Sequence, residues 1–203
     1  MAIDYSFHVS TRKEVKEFIE KHHYSRSING ISSTFCFSLK DGERIVGAMI
    51  FGNLAMANQW KKYGEKRDDV LELRRLVLID NTPRNSESFF ISRALKYLIK
   101  NTSVKTIVSY ADVNYGHVGT LYKASNFTFK GKTSPGRVIN WNGKKYHDKS
   151  IRNSYKGEIK PFSLKIKQAL ENGEAYYEKQ LPKNIYTYDL NSRRKRKGKK
   201  KWK

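Results

Sequence analysis

At 203 residues, the chain is long enough for one sizeable domain with an appendage. Hydrophobic residues make up 38% and aromatics 13%, which excludes a chain disordered throughout. Lys and Arg number 41 against 19 Asp and Glu, and the net charge of +22 points to a polyanionic partner, nucleic acid first, because each neutralised phosphate releases counterions.

Cys36 is the one cysteine, so an intrachain disulfide and a metal centre built on the chain's own thiolates are excluded. Within TFCFSL it reads as a small buried hydrophobe rather than a reactive thiol. No segment reaches the ~18 apolar residues of a membrane span, and MAIDYSFHVSTRKEV has no apolar leader core. A soluble chain in a reducing compartment, with no membrane partner, is expected.

Residues 5–9 can form a short strand. STRKEVKEFIEKHHY predicts a helix, with Ser10 or Thr11 as N-cap, Glu14 completing the cap, and Val15, Phe18 and Ile19 as an apolar stripe. STFCFSLK and RIVGAMIFGN read as strands joined at an Asp-Gly turn, and VLELRRLVLI as a third. NTPRNSE is a turn, SESFFISRALKYLIKN a helix opened by Ser86 or Ser88, and VKTIVSYAD a further strand. HVGTLYKASN is a short helix and FTFKGKT the last core strand. The order β-α-β-β-β-α-β-α-β implies an α/β (α+β) fold, a mixed central sheet flanked by helices.

The texture changes near Thr133. PGRVINWNGKKYHDKSIRNSYKGEIKPF is basic and turn-rich, SLKIKQALENGEAYY predicts a helix, and KNIYTYDL a short strand. RRKRKGKKKWK ends the chain with nine positive charges in eleven residues. The expected organisation is a catalytic core over 1–132, a basic, aromatic C-terminal extension packed on it over 133–190, and a disordered basic tail over 191–203.

Four stretches carry candidate chemistry. In NTPRNSESFF, Arg84, Asn85, Ser86 and Ser88 stand at a helix start, where unsatisfied N–H groups can hold a phosphate; a plain capping turn is the alternative. In ELRRL, adjacent arginines point to opposite faces of a strand, one free to pair with Glu72 and the other to meet a phosphate or carboxylate; Arg74 is preferred to Arg75. In SYADVNYGHVGTLYKASNF, Asp112 ends an apolar strand as a base, a metal ligand or a turn cap. Tyr122 follows on the next helix, either as a proton donor to a leaving group or as a core residue. His23 and Tyr24 close the first helix, and His23, Asp112 and His117 are the candidate metal ligands. Tyr24, Tyr115 and Trp141 are candidates for stacking on a base. Arg193, Arg194, Lys195, Arg196, Lys144 and Lys145 are expected to grip phosphates.

The strand order and LYKASNFTFKG resemble the GNAT acyltransferase superfamily, in which LY-x-x-x-GF precedes a short strand. Two departures stand out: Asn126 where that family has Gly, and PRNSES in place of a glycine-rich pyrophosphate loop. HHYSRS, ELRRLVL, PRNSESFFIS, SYAD with GHVGTLYKASNF, and KNIYTY, in that order across residues 20–190, resemble the Mom-like phage DNA modification proteins. That resemblance implies modification of adenine in double-stranded DNA to an N6-carbamoylmethyl adenine that protects phage DNA from restriction, in the cytoplasm of an infected bacterium. It carries activity onto His23, Tyr24, Arg74, Asp112 and Tyr122, with Ser86 or Ser88 contributing. It brings acetyl-coenzyme A or another small donor, and iron, as expected cofactors, and leaves a homodimer open. A flipped base is expected, since adenine's amine must reach the reacting groups. Two other readings compete: an acetyl-coenzyme A-dependent acyltransferase acting on a protein or small amine, and a non-catalytic DNA-binding accessory.

Overall fold

The computed structural model describes residues 4–152 and 154–194. Strand β1 (Ser6–Ser10) leads into α1 (Arg12–His22). Thr11 is the N-cap: its hydroxyl accepts the Glu14 N–H, while the Glu14 carboxylate accepts the Thr11 N–H. This reciprocal box decides between the two candidate caps. Strands β2 (Phe35–Asp41), β3 (Arg44–Gly52) and β4 (Val70–Leu78) follow, then α2 (Ser86–Asn101), β5 (Thr106–Ala111), the short α3 (Thr120–Ala124) and β6 (Thr128–Lys132).

After β6 come β7 (Gly136–Trp141), β8 (Lys144–His147), the two-residue strands β9 (Ser154–Tyr155) and β10 (Glu158–Ile159), α4 (Pro161–Glu171), β11 (Ala175–Gln180) and β12 (Asn184–Asp189). Two compact units result. The larger comprises the chain up to Ala111, His117–Gly131, and from Asn184 onward; the smaller comprises Asp112–Gly116 and Lys132–Lys183.

The larger unit carries a seven-stranded sheet in the order β1-β2-β3-β4-β5-β12-β6. Neighbours from β1 to β4 are antiparallel, β4 and β5 are parallel, and β5 and β12 are antiparallel. The parallel pair exists because α2 carries the chain back along the sheet between β4 and β5. Side-chain alternation divides the sheet into two faces. Phe37, Leu39, Met49 and Phe51 pack with Phe90, Ile91, Ala94, Leu95 and Leu98 of α2. Cys36, Ala48 and Ile50 point the other way and pack with Val15 and Ile19 of α1. Helices thus cover both faces of a mixed, largely antiparallel sheet.

Two expectations need correction. KNIYTYDL, expected in the extension, is β12, a strand inside the sheet between β5 and β6. Its alternating Tyr186 and Tyr188 join the core shared with α2, and that burial draws it into the sheet. The helix expected over SLKIKQALENGEAYY stops at Glu171. Gly173 turns with φ +76°, and Ala175–Gln180 pair with β7 as a strand.

In the smaller unit, β11, β7 and β8 form an antiparallel sheet. Ile166 and Ala169 of α4 pack on Ile139 and Ala175, with Trp141 and Tyr146 against them. Trp141 is therefore a core residue of this unit rather than a platform for a base.

Candidate active site

In the larger unit, α1 ends at His23, the C-cap, which is 7% exposed. The Ser25 backbone N–H donates to His23 Nδ1 at 3.0 Å, and Ser25 Oγ lies 2.9 Å from the same nitrogen. Ser25 Oγ also lies 3.2 Å from the Ser27 carbonyl, and Arg75 reaches that carbonyl with Nε and Nη2 at 3.2 and 3.1 Å. Arg75 Nη1 donates to the Arg74 carbonyl. Arg12 holds the same loop through the Ile28 and Ile31 carbonyls. Two arginines therefore pin the segment that carries His23 and Tyr24. Burial first, then the nearby Arg75 and His117, pull the His23 imidazole down to about 4, so the ring is neutral at pH 7. The Tyr24 ring, 45% exposed, lies 4.2 Å from the His23 ring and 5.3 Å from that of His117.

On β4, Arg74 and Glu72 form a largely buried ion pair at 2.7 Å. Burial pushes the Glu72 carboxyl above its ordinary value, and Arg74 opposes the shift. Arg74 Nε is buried without a partner. Arg75 spends its donors on the backbone carbonyls of Ser27 and Arg74, whereas Arg74 keeps an uncommitted one. Tyr122 packs its ring 5.3 Å from Tyr186 and 5.6 Å from Phe127. Burial pushes its phenol above the ordinary value, with the Ser109 hydroxyl opposing, so it stays protonated at neutral pH. The backbone before α3 is built for this packing. Gly119 has φ +92°, and a Cβ there would collide with the Tyr186 ring, whose hydroxyl donates to the Val118 carbonyl. Asn126 has φ +62°; an Asn side chain tolerates this left-handed backbone.

In the smaller unit, Asp112 follows β5 directly, and its side chain is 7% exposed. Oδ2 meets Lys183 Nζ at 2.6 Å. Oδ1 accepts from Asn114 Nδ2 at 2.8 Å and from the Asn114 N–H at 3.2 Å, so Asp112 caps the 3₁₀ turn Val113–Tyr115. The Asn114 amide also exchanges hydrogen bonds with the backbone of Leu181. Lys183 is held by a two-way backbone and hydroxyl bridge to Thr133. Burial raises the Asp112 carboxyl, but Lys183 and Asn114 outweigh it and hold it below the usual carboxylate range. Asp112 is thus a committed carboxylate with weak basicity. Lys183 and Asn114 had no sequence signal: Lys183 lies far along the chain, and only the fold returns it.

The turn before α2 lines a cleft of about 290 Å³ with Asp80, Thr82, Pro83, Arg84, Asn85, Ser86 and Glu87 among its walls. Ser86 is the first residue of the helix, but neither serine is its N-cap. The N-cap is Asn85, at φ +71°, with no side-chain cap bond. Ser86 Oγ donates to the Pro83 carbonyl and Ser88 Oγ to the Asn85 carbonyl, so both hydroxyls are spent inside the turn. The Ser86 N–H donates to the Pro83 carbonyl as well, so what remains for an anion is the N–H groups of Glu87 and Ser88 and the exposed Arg84.

The expected phosphate contacts divide. Lys144 and Lys145 are exposed, although Lys145 pairs with Glu178 at 2.7 Å. Arg194 instead caps the C-terminus of α2, donating to the carbonyls of Leu98, Ile99, Thr102 and Val104. Its guanidinium is committed to backbone carbonyls at and just beyond the end of α2 rather than to phosphate. Arg193 is described and half-buried; Lys195 and Arg196 lie outside the described residues.

The proposed metal ligands do not fit an ion. No group of three or more His, Cys, Asp and Glu side chains able to hold a metal occurs among the described residues. His23 gives the chemical reason. Nδ1 accepts a backbone N–H, so the ring proton of the neutral imidazole sits on Nε2, and neither nitrogen offers a free lone pair. Asp112 is engaged by Lys183 and Asn114.

A model of the Mom protein family matches residues 4–202. Methylcarbamoylase mom of Escherichia phage Mu is 33% identical over 136 residues, covering 66% of this chain and 56% of that protein. The chain thus aligns with little more than half the length of that relative. Among solved structures, a Bacillus subtilis acetyltransferase in complex with CoA superposes with a TM-score of 0.52 at 11% identity, over 92% of this chain and 99% of that one. Arabidopsis thaliana NAA60 in complex with acetyl-CoA gives 0.54 at 10% identity, with coverage of 92% and 99%. The Escherichia coli ribosomal-protein-S18-alanine N-acetyltransferase gives 0.51 at 10%, with coverage of 92% and 94%. At these identities the likeness establishes the GNAT acetyltransferase fold alone.

Proposed function

The chain belongs to the Mom protein family, and from that membership we propose that it is a transferase that converts adenine in double-stranded DNA to N6-carbamoylmethyl adenine. The mark would protect phage DNA from restriction in the cytoplasm of the infected host. The family match across residues 4–202 carries this reading. The +22 charge supports a DNA partner, because a duplex backbone binds through neutralised phosphates.

The chemistry constrains the donor. One N6–H bond of adenine is replaced by N6–CH₂. The new N–C bond forms from the nitrogen lone pair, the amine proton passes to solvent water, and the donor's leaving group departs with the bonding pair. Attack on a thioester carbonyl would instead leave a carbonyl on the nitrogen, so the donor's reacting carbon is a CH₂ that bears the leaving group. The amine is a poor nucleophile because its lone pair is delocalised into the ring, so orientation and charge stabilisation matter most. Asp112, ionised and fixed by Lys183 and Asn114, suits acceptance of an amine N–H and of the charge that grows there. Tyr122, protonated at neutral pH, suits donation to a leaving group. The unpartnered Nε of Arg74 suits an acceptor atom of the donor or the base. Tyr24 offers an exposed ring on which a flipped base can stack.

A coenzyme A-type donor draws support from the structural neighbours named in complex with CoA and acetyl-CoA. Arg84 and the first-turn N–H groups of α2 would hold its pyrophosphate. When bound, such a group would carry the transferred fragment with its sulfur on the CH₂, so that the coenzyme thiolate would be the leaving group.

Nucleoside mass spectrometry of plasmid DNA from cells expressing the protein tests the reading. An adenosine heavier by a carbamoylmethyl group is expected, and it is expected to vanish in Asp112→Asn when the two proteins are compared at equal folded fraction by thermal melt. Unmodified adenine beside folded protein would sink the proposal. Acetylated protein or polyamine instead would favour an ordinary acetyltransferase.

A further inference from the structure

His23 has one polar atom left to use, and its chemistry is set by a neighbour two residues away. A backbone N–H can only donate. The 3.0 Å bond from the Ser25 N–H therefore requires a lone pair on His23 Nδ1. The ring is neutral at pH 7, so its proton resides on Nε2. Ser25 Oγ, 2.9 Å from Nδ1, turns its single proton to the same lone pair, and lies 3.2 Å from the Ser27 carbonyl that Arg75 holds. Nε2 makes no hydrogen bond among the described residues. The charged or titratable groups around the ring are Arg75 from β4, Tyr24 from the loop itself, and His117 before α3; Arg75 and His117 both disfavour a cationic imidazole.

We infer that His23 acts as a neutral hydrogen-bond donor through Nε2–H to an acceptor atom of the bound substrate, with Ser25 as the residue that fixes its tautomer. This rests on the reading of the site as a DNA-modifying one. It assigns a role opposite to the usual one for an active-site histidine. A general base needs a lone pair facing the substrate, and here that lone pair is taken by Ser25. A proton acceptor or metal ligand at this position would have to break the Ser25 bond first. A preset neutral donor costs no reorganisation when an acceptor arrives, which is how fixed dipoles stabilise developing charge.

Long-range ¹H–¹⁵N NMR of the ¹⁵N-His-labelled full chain reads the tautomer without any activity. At pH 7 the His23 ring is expected to show a protonated Nε2 and an unprotonated Nδ1. A protonated Nδ1, or an imidazolium, overturns the inference. The second arm is the DNA modification rate of His23→Gln and His23→Asn, compared at equal folded fraction by thermal melt. The Gln amide can place an N–H near the Nε2 position, whereas Asn places it near Nδ1. His23→Gln is expected to keep at least tenfold more activity than His23→Asn. Equal loss in both sinks the donor role. Wild-type protein that leaves adenine untouched fails the functional reading and takes the donor role with it, while the tautomer result stands or falls separately.

Discussion

Lys183 meets Asp112 across a contact of 2.6 Å, and it is the partner that makes a nearly buried carboxylate tolerable at that position. Removing the ammonium leaves Asp112 buried with Asn114 as its remaining donor. Lys183→Met is expected to cost roughly 1–3 kcal/mol at pH 7, less than a fully buried pair because Lys183 is itself 46% exposed. The sign with pH follows from the direction of the shift. Asp112 has its folded value below its unfolded one, so its contribution is complete above about pH 4 and is lost as pH falls through the folded value. Urea melts of wild type and Lys183→Met should therefore diverge at pH 7 and converge in strong acid. A gap that persists undiminished at pH 2 would mean that lost packing, not the ion pair, explains the variant. At the same scale, the departures from glycine were legible as chemistry. Asn85 and Asn126 both occupy left-handed backbone, which asparagine accepts at low cost.

The elements of the larger unit follow from period and capping: α1 from its Thr11–Glu14 box, β2 and β3 from alternation about an Asp-Gly turn. The exception is β12. KNIYTYDL alternates as a strand should, but nothing local says which neighbour it pairs with. Its place between β5 and β6 is set by Tyr186, which is 1% exposed and packed against Tyr122, Phe129 and the backbone at Gly119. If β12 is an integral sheet strand, Tyr186→Ala should lower stability by about 3–5 kcal/mol, as for other large buried aromatics, with an unchanged dependence on urea concentration. A loss below ~1 kcal/mol would show that β12 contributes little to the sheet. The same packing places Tyr122, so this variant should also weaken modification beyond its effect on the folded fraction.

Charge is a property of the whole molecule. Residues 193–203 carry nine of the positive charges, and the rest of the chain still has a net +13. DNA affinity should fall steeply with salt, by a slope of about −0.9 per phosphate neutralised. A chain ending at Arg194 lacks seven of those charges, Lys195 through Lys203, yet keeps the Arg194 cap on α2. Its salt slope, from fluorescence anisotropy with duplex DNA, should be shallower by several phosphates without vanishing. An unchanged slope would place the phosphate contacts entirely on the folded units. No helix among the described residues is long and apolar enough to cross a membrane.

Composition, periodicity and capping chemistry act over a few residues, so the sequence by itself determined the helices, most strands, the α/β class and the basic character. Its motifs also carried the family resemblance that the match across residues 4–202 supports. Contacts between residues far apart in the chain belong to the tertiary structure. It decided that β12 enters the sheet, that Arg75 clamps a loop while Arg74 keeps a free donor, and that Arg194 caps a helix. It also decided that Lys183 meets Asp112, because a hydrogen bond or ion pair depends on distance in space, which spacing along the chain does not encode. His23 stands between the two: its partner Ser25 is two residues away, yet the direction of that N–H depends on how Arg12 and Arg75 bend the loop.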